Sequence, residues 1–228
     1  MATIKRRRGI THVQLTGDEE EAEKLPEPMK PQGGKSEAYR FFGRERNFLE
    51  QYAGTDNFFL GEDILWHFDH RTRRIGFNPL FFVNTAGYQL AEAMVATLHE
   101  LEHLRFMLRD PEVYFDMASR WNRSKRIHLL HNSIMDVHDN QTVKTRALGM
   151  SGTFRDLYRY KLWPENDFSE KPRHIQFADA ILREAMVPDE KCVIDDEVRR
   201  AIDELKHYRG VNILELLTDP TVEPELFY

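Results

Sequence analysis

The chain has 228 residues, a net charge of −6, ten histidines and one cysteine, and is 41% hydrophobic and 31% charged. That length and composition suit one globular domain with a core of its own, and no apolar run reaches the ~20 residues of a membrane-spanning helix. The lone Cys192 excludes an internal disulfide framework and a multi-cysteine zinc ribbon, and the net acidity weighs against a general nucleic-acid binder, which needs clustered Lys and Arg.

Residues 1–35 read as a tail. A basic cluster (Lys5–Arg8), an acidic run (Asp18–Glu21) and Pro26, Pro28 and Pro31 predict disorder or a loosely docked arm. The opening MATIKRRRGITHVQ has no apolar stretch, so no secretory signal is expected and the protein is expected in the cytoplasm. Residues 36–228 are expected to form a single domain, with its core over 56–148 and a helical extension over 150–228.

Tyr39, Phe42, Phe48, Leu49 and Tyr52 recur at helical spacing and predict a helix over 36–53, ended by Gly54. Ile64, Trp66 and Phe68 then alternate with Leu65, His67 and Asp69, the period of a strand. Residues 70–73 turn the chain into a second strand, Arg74–Phe77, which Asn78-Pro79 stops. Everything later reads helical: 85–108, a short segment near 112–121, 127–147, 173–186, 195–208 and 211–217. The fold class is α+β, a small antiparallel sheet followed by many helices.

The helix over 85–108 contains His99-Glu100-Leu101-Glu102-His103, an H-E-x-x-H sequence. Residues four apart lie on one helical face, so two imidazoles can bind one Zn²⁺ while the adjacent glutamate acts as general base. Five residues recur by chance too often to carry the assignment alone, so a third ligand decides it. With cysteine nearly absent, that ligand must be imidazole or carboxylate. In the helix over 127–147, His128, Asn132, Asp136 and Asn140 form one stripe, and His131, Met135 and His138 an adjacent one. Asp136 is the candidate third ligand and His138 the alternative. Such inward polar residues are costly in a packed helix unless bonded or metal-bound.

These segments in order, Asp69, then Arg74-Ile75-Gly76-Phe77-Asn78-Pro79-Leu80-Phe81, the His99 motif, Asp110-Pro111, and Asn132-Ser133-Ile134-Met135-Asp136 with Asn140, resemble a known domain. It is the zincin-like metallopeptidase domain found upstream of von Willebrand A modules and in relatives of the cobalt-chelatase subunit CobT. The resemblance covers residues 60–145. It implies a zincin-like fold, zinc held by His99, His103 and an acidic Asp136, Glu100 as the catalytic glutamate, and Asn132 and Asn140 as flanking asparagines. Met135 departs from the family's glutamate, and His131 and His138 have no counterpart.

The function expected is zinc-dependent hydrolysis of peptide bonds in a peptide or protein substrate, with Glu100 moving the proton. His138, His131 and Tyr114 are candidate oxyanion donors, and Ile64–Phe68 or Arg74–Phe77 a strand edge on which an extended peptide could pair. The alternative is a catalytically silent adaptor module of the same fold within a larger von Willebrand A or AAA-type assembly, its C-terminal helices forming the partner surface. A weaker third reading uses Arg120, Arg123, Lys125, Arg126 and Trp121, with the Lys5–Arg8 tail, to contact single-stranded nucleic acid. Cys192 reads as a small packing residue.

Overall fold

The computed structural model describes residues 34–83, 87–121 and 124–222; of the tail expected over 1–35, residues 1–33 lie outside them, and Gly34 and Lys35 begin the first helix. The first helix, α1 (Gly34–Ala53), buries Ala38, Phe41, Phe42, Leu49 and Tyr52, and ends at Gly54, whose φ of +72° suits a residue without a Cβ.

The sheet that follows has three strands in the order β1-β3-β2. Strand β3 (Arg74–Phe77) is central, paired parallel to β1 (Phe59–Glu62) and antiparallel to β2 (His67–Asp69). The sheet is therefore mixed rather than antiparallel. The alternation over Ile64–Phe68 marks only the last residues of a strand. Asp63 Oδ1 accepts from Ile64 N at 2.7 Å, and this bend turns the chain before Trp66. Strand β1 has no alternation to betray it, since Phe59 is exposed, Gly61 carries no side chain, and its pairing is parallel and distant in sequence. The β2–β3 turn is held by the Asp69 carboxylate, which accepts from Arg71 N at 3.0 Å and Thr72 Oγ1 at 2.8 Å.

Asn78 ties the end of the sheet together. Its Oδ1 accepts from Leu80 N at 2.9 Å, starting the 3₁₀ turn Pro79–Phe82, and its Nδ2 donates to Ile64 O at 3.0 Å. Phe42, Trp66, Phe77, Phe81 and Phe82 pack edge-on or tilted between α1, the sheet and this turn. Central placement gives β3 a neighbour on both sides, so Arg74–Phe77 offers no free edge; among the described residues the outer sides of β1 and β2 do.

Helix α2 (Leu90–Arg109) begins five residues later than expected from 85, where Glu92 Oε2 accepts from Gln89 N at 2.8 Å. Nearly every residue from Glu92 to Leu104 is buried, the mark of a helix enclosed on all sides. Asp110 then caps α3 (Pro111–Trp121), accepting from Val113 N at 3.1 Å, with Pro111 at the first helical position, where it costs no hydrogen bond.

Helix α4 (Lys125–Arg146) packs along α2 on one side and along α6 (Arg173–Met186) on another. Between them lie α5 (Ser151–Leu157) and a π turn over Tyr158–Leu162, for which the sequence pattern raised no expectation. Two shorter helices follow, α7 (Asp196–Leu205) and α8 (Ile213–Thr218). One hydrophobic cluster joins residues from Ala38 in α1 to Leu217 in α8, including Cys192. Among the described residues no helix is long and apolar enough to cross a membrane.

Candidate metal centre

His99 and His103 stand one turn apart on α2, their rings 5.0 Å apart between centroids and nearly perpendicular. Both present Nε2 toward α4. There Asp136 Oδ1 lies 3.4 Å from His99 Nε2 and 3.9 Å from His103 Nε2. Glu100, fully buried, contributes a carboxylate oxygen to a group with the two histidines in which all ligand atoms lie within 4.8 Å.

His99, His103 and Asp136 each have a polar group behind them. Asn132, one turn before Asp136, donates from Nδ2 to Asp136 Oδ2 at 3.0 Å, leaving Oδ1 for the histidines. His99 Nδ1 lies 3.0 Å from Asn140 Oδ1; an amide oxygen only accepts, so the ring nitrogen donates. His103 Nδ1 faces Asp139 Oδ2 at 3.1 Å. Both imidazoles thus turn their Nδ1 sides to acceptors and their Nε2 sides to one another and to Asp136. This is the arrangement in which a backing group sets the tautomer of a metal-binding histidine.

The electrostatics are unbalanced. Glu100, Asp136 and Asp139 place three carboxylates in the interior beside two imidazoles. Burial pulls the His99 pKa down, but Asp136, Glu100 and Asp139 overcome it and push it up to about 10. Burial likewise raises Asp139, yet His103 and His138 bring it below the usual carboxylate range. A site that draws a proton this strongly onto a buried imidazole is suited to a cation.

The atoms fit a metal. His99 Nε2 and Asp136 Oδ1 are both buried and neither completes a hydrogen bond, although every other polar atom of the two side chains has a partner. Two ligands at ~2.0–2.1 Å from a tetrahedral ion are themselves ~3.4 Å apart. The observed 3.4 and 3.9 Å separations lie at and just above that value.

His138 is aimed elsewhere. Its Nε2 donates to the Val222 carbonyl at 3.0 Å and its Nδ1 lies 3.5 Å from Asp139 Oδ1, so it supports Asp139 rather than meeting the Nε2 pair. His131 and His128 are half-buried, with pKa values lowered chiefly by burial. Tyr114 is buried edge-on to Phe106 and Phe115. Burial first, then the charges of Asp139 and Glu100, raise its pKa, so its hydroxyl sits protonated in the field of the site.

Two members of the arrangement, Asp139 and Tyr158, lie outside the polar stripes legible in the sequence. Asp139 is one turn beyond Asp136 on α4, a spacing that could have drawn attention to it. Tyr158 accepts from Asn140 Nδ2 at 2.9 Å, and nothing local to residue 158 announces that. Glu102, inside the motif, faces away: Tyr52 donates to its Oε1, and Arg105 pairs with its Oε2 at 3.2 Å, tying α2 to α1.

Of the basic residues of the nucleic-acid reading, Arg120, Lys125 and Arg126 lie within the described residues. Arg120 is paired with Asp116 at 2.6 Å, and Arg126 lines a groove of about 440 Å³ with Leu130, His174, Phe177 and Val198. Arg123 and the Lys5–Arg8 cluster lie outside the described residues. No protein-family profile, curated protein or solved structure matches this chain.

Proposed function

We propose that this protein is a zincin-like, zinc-dependent hydrolase of the metallopeptidase type, with His99, His103 and Asp136 as ligands and Glu100 as general base. One observation carries the reading: a buried imidazole nitrogen and a buried carboxylate oxygen, both without a hydrogen bond, converge beside the second histidine. Bound zinc would supply Lewis-acid polarisation of a scissile carbonyl and acidify a water molecule.

The chain's own residues do the rest. Glu100 takes a proton on its carboxylate and passes it to the leaving amine. Asn140 accepts from His99 behind the site, and the Asp139 carboxylate stands 3.1 Å behind His103 as a counter-charge. Tyr114, kept protonated by burial, is the hydroxyl donor for the developing oxyanion. Its neighbour His70, 6.0 Å away between ring centroids, follows directly on β2, so a peptide added to the free edge of β2 would run toward the site.

The test is metal content and cleavage together. Protein stripped with chelator and resupplied with zinc should hold about one equivalent, His99→Ala and Asp136→Ala should hold far less, and Glu100→Gln should keep the metal while losing cleavage of a proteome-derived peptide library by ~100-fold or more. Wild-type protein that is folded and retains no zinc when supplied with it would sink the reading.

The enclosure of the site favours a second reading. The His99 and Asp136 side chains are 0% and 3% exposed and that of His103 only 12%, which suits a metal-holding adaptor module that cleaves nothing. Equal zinc binding by wild type and Glu100→Gln, with no cleavage by either, would select it.

A further inference from the structure

The π turn at Tyr158–Leu162 ends the helix begun by α5, and its first residue places a hydroxyl against Asn140. Trp163 N bonds to Tyr158 O at 3.2 Å, the wide i→i+5 closure of that geometry. Such turns are rare and recur at functional places. Tyr158 is itself 1% exposed, its ring packed on Trp163 at 5.2 Å, and among the described residues its hydroxyl accepts from Asn140 Nδ2 at 2.9 Å. Asn140 Oδ1 in turn faces His99 Nδ1 at 3.0 Å. Three side chains from α2, α4 and the π turn thus form a single file that ends on the nitrogen of His99 opposite Asp136.

We propose that Tyr158 is a positioning residue of the metal centre, acting through Asn140 to hold the His99 proton on Nδ1 when a metal displaces the one on Nε2. The inference rests on the metal reading above. A metal on Nε2 requires the His99 proton to sit on Nδ1, and that proton needs an acceptor. Asn140 supplies its oxygen, which leaves the buried amide nitrogen, a donor only, pointing the other way. A buried donor left unmatched is expensive, and the Tyr158 oxygen is the acceptor that matches it. Burial, reinforced by Asp136, holds the phenol neutral. The metal-ready orientation of Asn140 therefore depends on a hydroxyl from the segment after α5, beyond the residues that resemble a known domain.

The experiment is a double-mutant cycle in the full-length chain, read as zinc affinity by competition with a chromophoric chelator. Tyr158→Phe and Asn140→Ala should each weaken zinc by ~10-fold to ~100-fold. Because one acts through the other, Tyr158→Phe added to Asn140→Ala should cost nothing more. The proton NMR signal of the His99 Nδ1–H in the zinc-loaded protein, assigned through its ring nitrogen in isotope-labelled protein, should move in Tyr158→Phe. It should stay in place in Leu162→Val, a buried packing change in the same turn. If Asn140→Ala does not fold, the affinity and the NMR signal of Tyr158→Phe against Leu162→Val decide. Wild-type affinity in Tyr158→Phe, additive losses in the cycle, or an unmoved signal would overturn the proposal while leaving the metal centre standing. Absence of zinc binding by the wild type would remove both.

Discussion

His99 uses its two ring nitrogens differently, Nδ1 toward an amide oxygen and Nε2 toward a carboxylate. The carboxylates raise its pKa to about 10, so at neutral pH the metal-free protein carries a proton where zinc would bind. Zinc must displace that proton, and its apparent affinity should rise about tenfold per pH unit between pH 6 and 9. A titration with flat affinity over that range would contradict the assignment of His99 Nε2 as ligand. The same shift has an opposite consequence for metal-free stability. A histidine whose folded pKa lies above its unfolded value of about 6.5 stabilises fully below that value and loses the contribution as pH rises toward the folded pKa. Chelator-treated protein should therefore melt at a lower temperature at pH 9 than at pH 6.

At the scale of elements, Asn78 shows how a local motif positions a distant site. Its two side-chain bonds join the loop before β2 to the turn after β3. Asn78→Ala would remove two half-buried hydrogen bonds, to Leu80 N and Ile64 O, and should cost ~1–3 kcal/mol in denaturant unfolding. An unchanged midpoint would mean that the aromatic cluster alone holds this corner. The helices were legible because apolar spacing is a local property: residues 36–53, 127–147 and 173–186 fall within two residues of α1, α4 and α6. The sheet was legible only in part, since β1 is short, exposed at Phe59, and joined to β3 by pairing that no local period records.

At the scale of the whole molecule, the candidate centre clamps α2 to α4 through side chains from both helices. A ligand bound only by the folded chain raises its stability, by ~4 kcal/mol at a thousandfold excess over Kd. Zinc at saturating concentration should accordingly raise the melting temperature of wild-type protein by several degrees and leave that of His99→Ala unchanged. An equal rise in both would place the stabilising zinc elsewhere. Cys192 is buried in the common core, and burial pushes its thiol pKa up to about 11, in keeping with a packing role.

The amino-acid sequence by itself determined the pairing of His99 with His103 and the stripe that carries Asn132, Asp136 and Asn140. Both follow from the 3.6-residue turn, which places residues four apart on one face whatever surrounds the helix. Only the tertiary structure decided that Asp136 rather than His138 meets the two Nε2 atoms, that Asp139 backs His103, and that Tyr158 completes the file behind His99. Those relations depend on how far α4 is rotated against α2 and where the π turn sets down a hydroxyl. Rotation and placement are set by packing of the whole core, to which residues far apart in the chain contribute together.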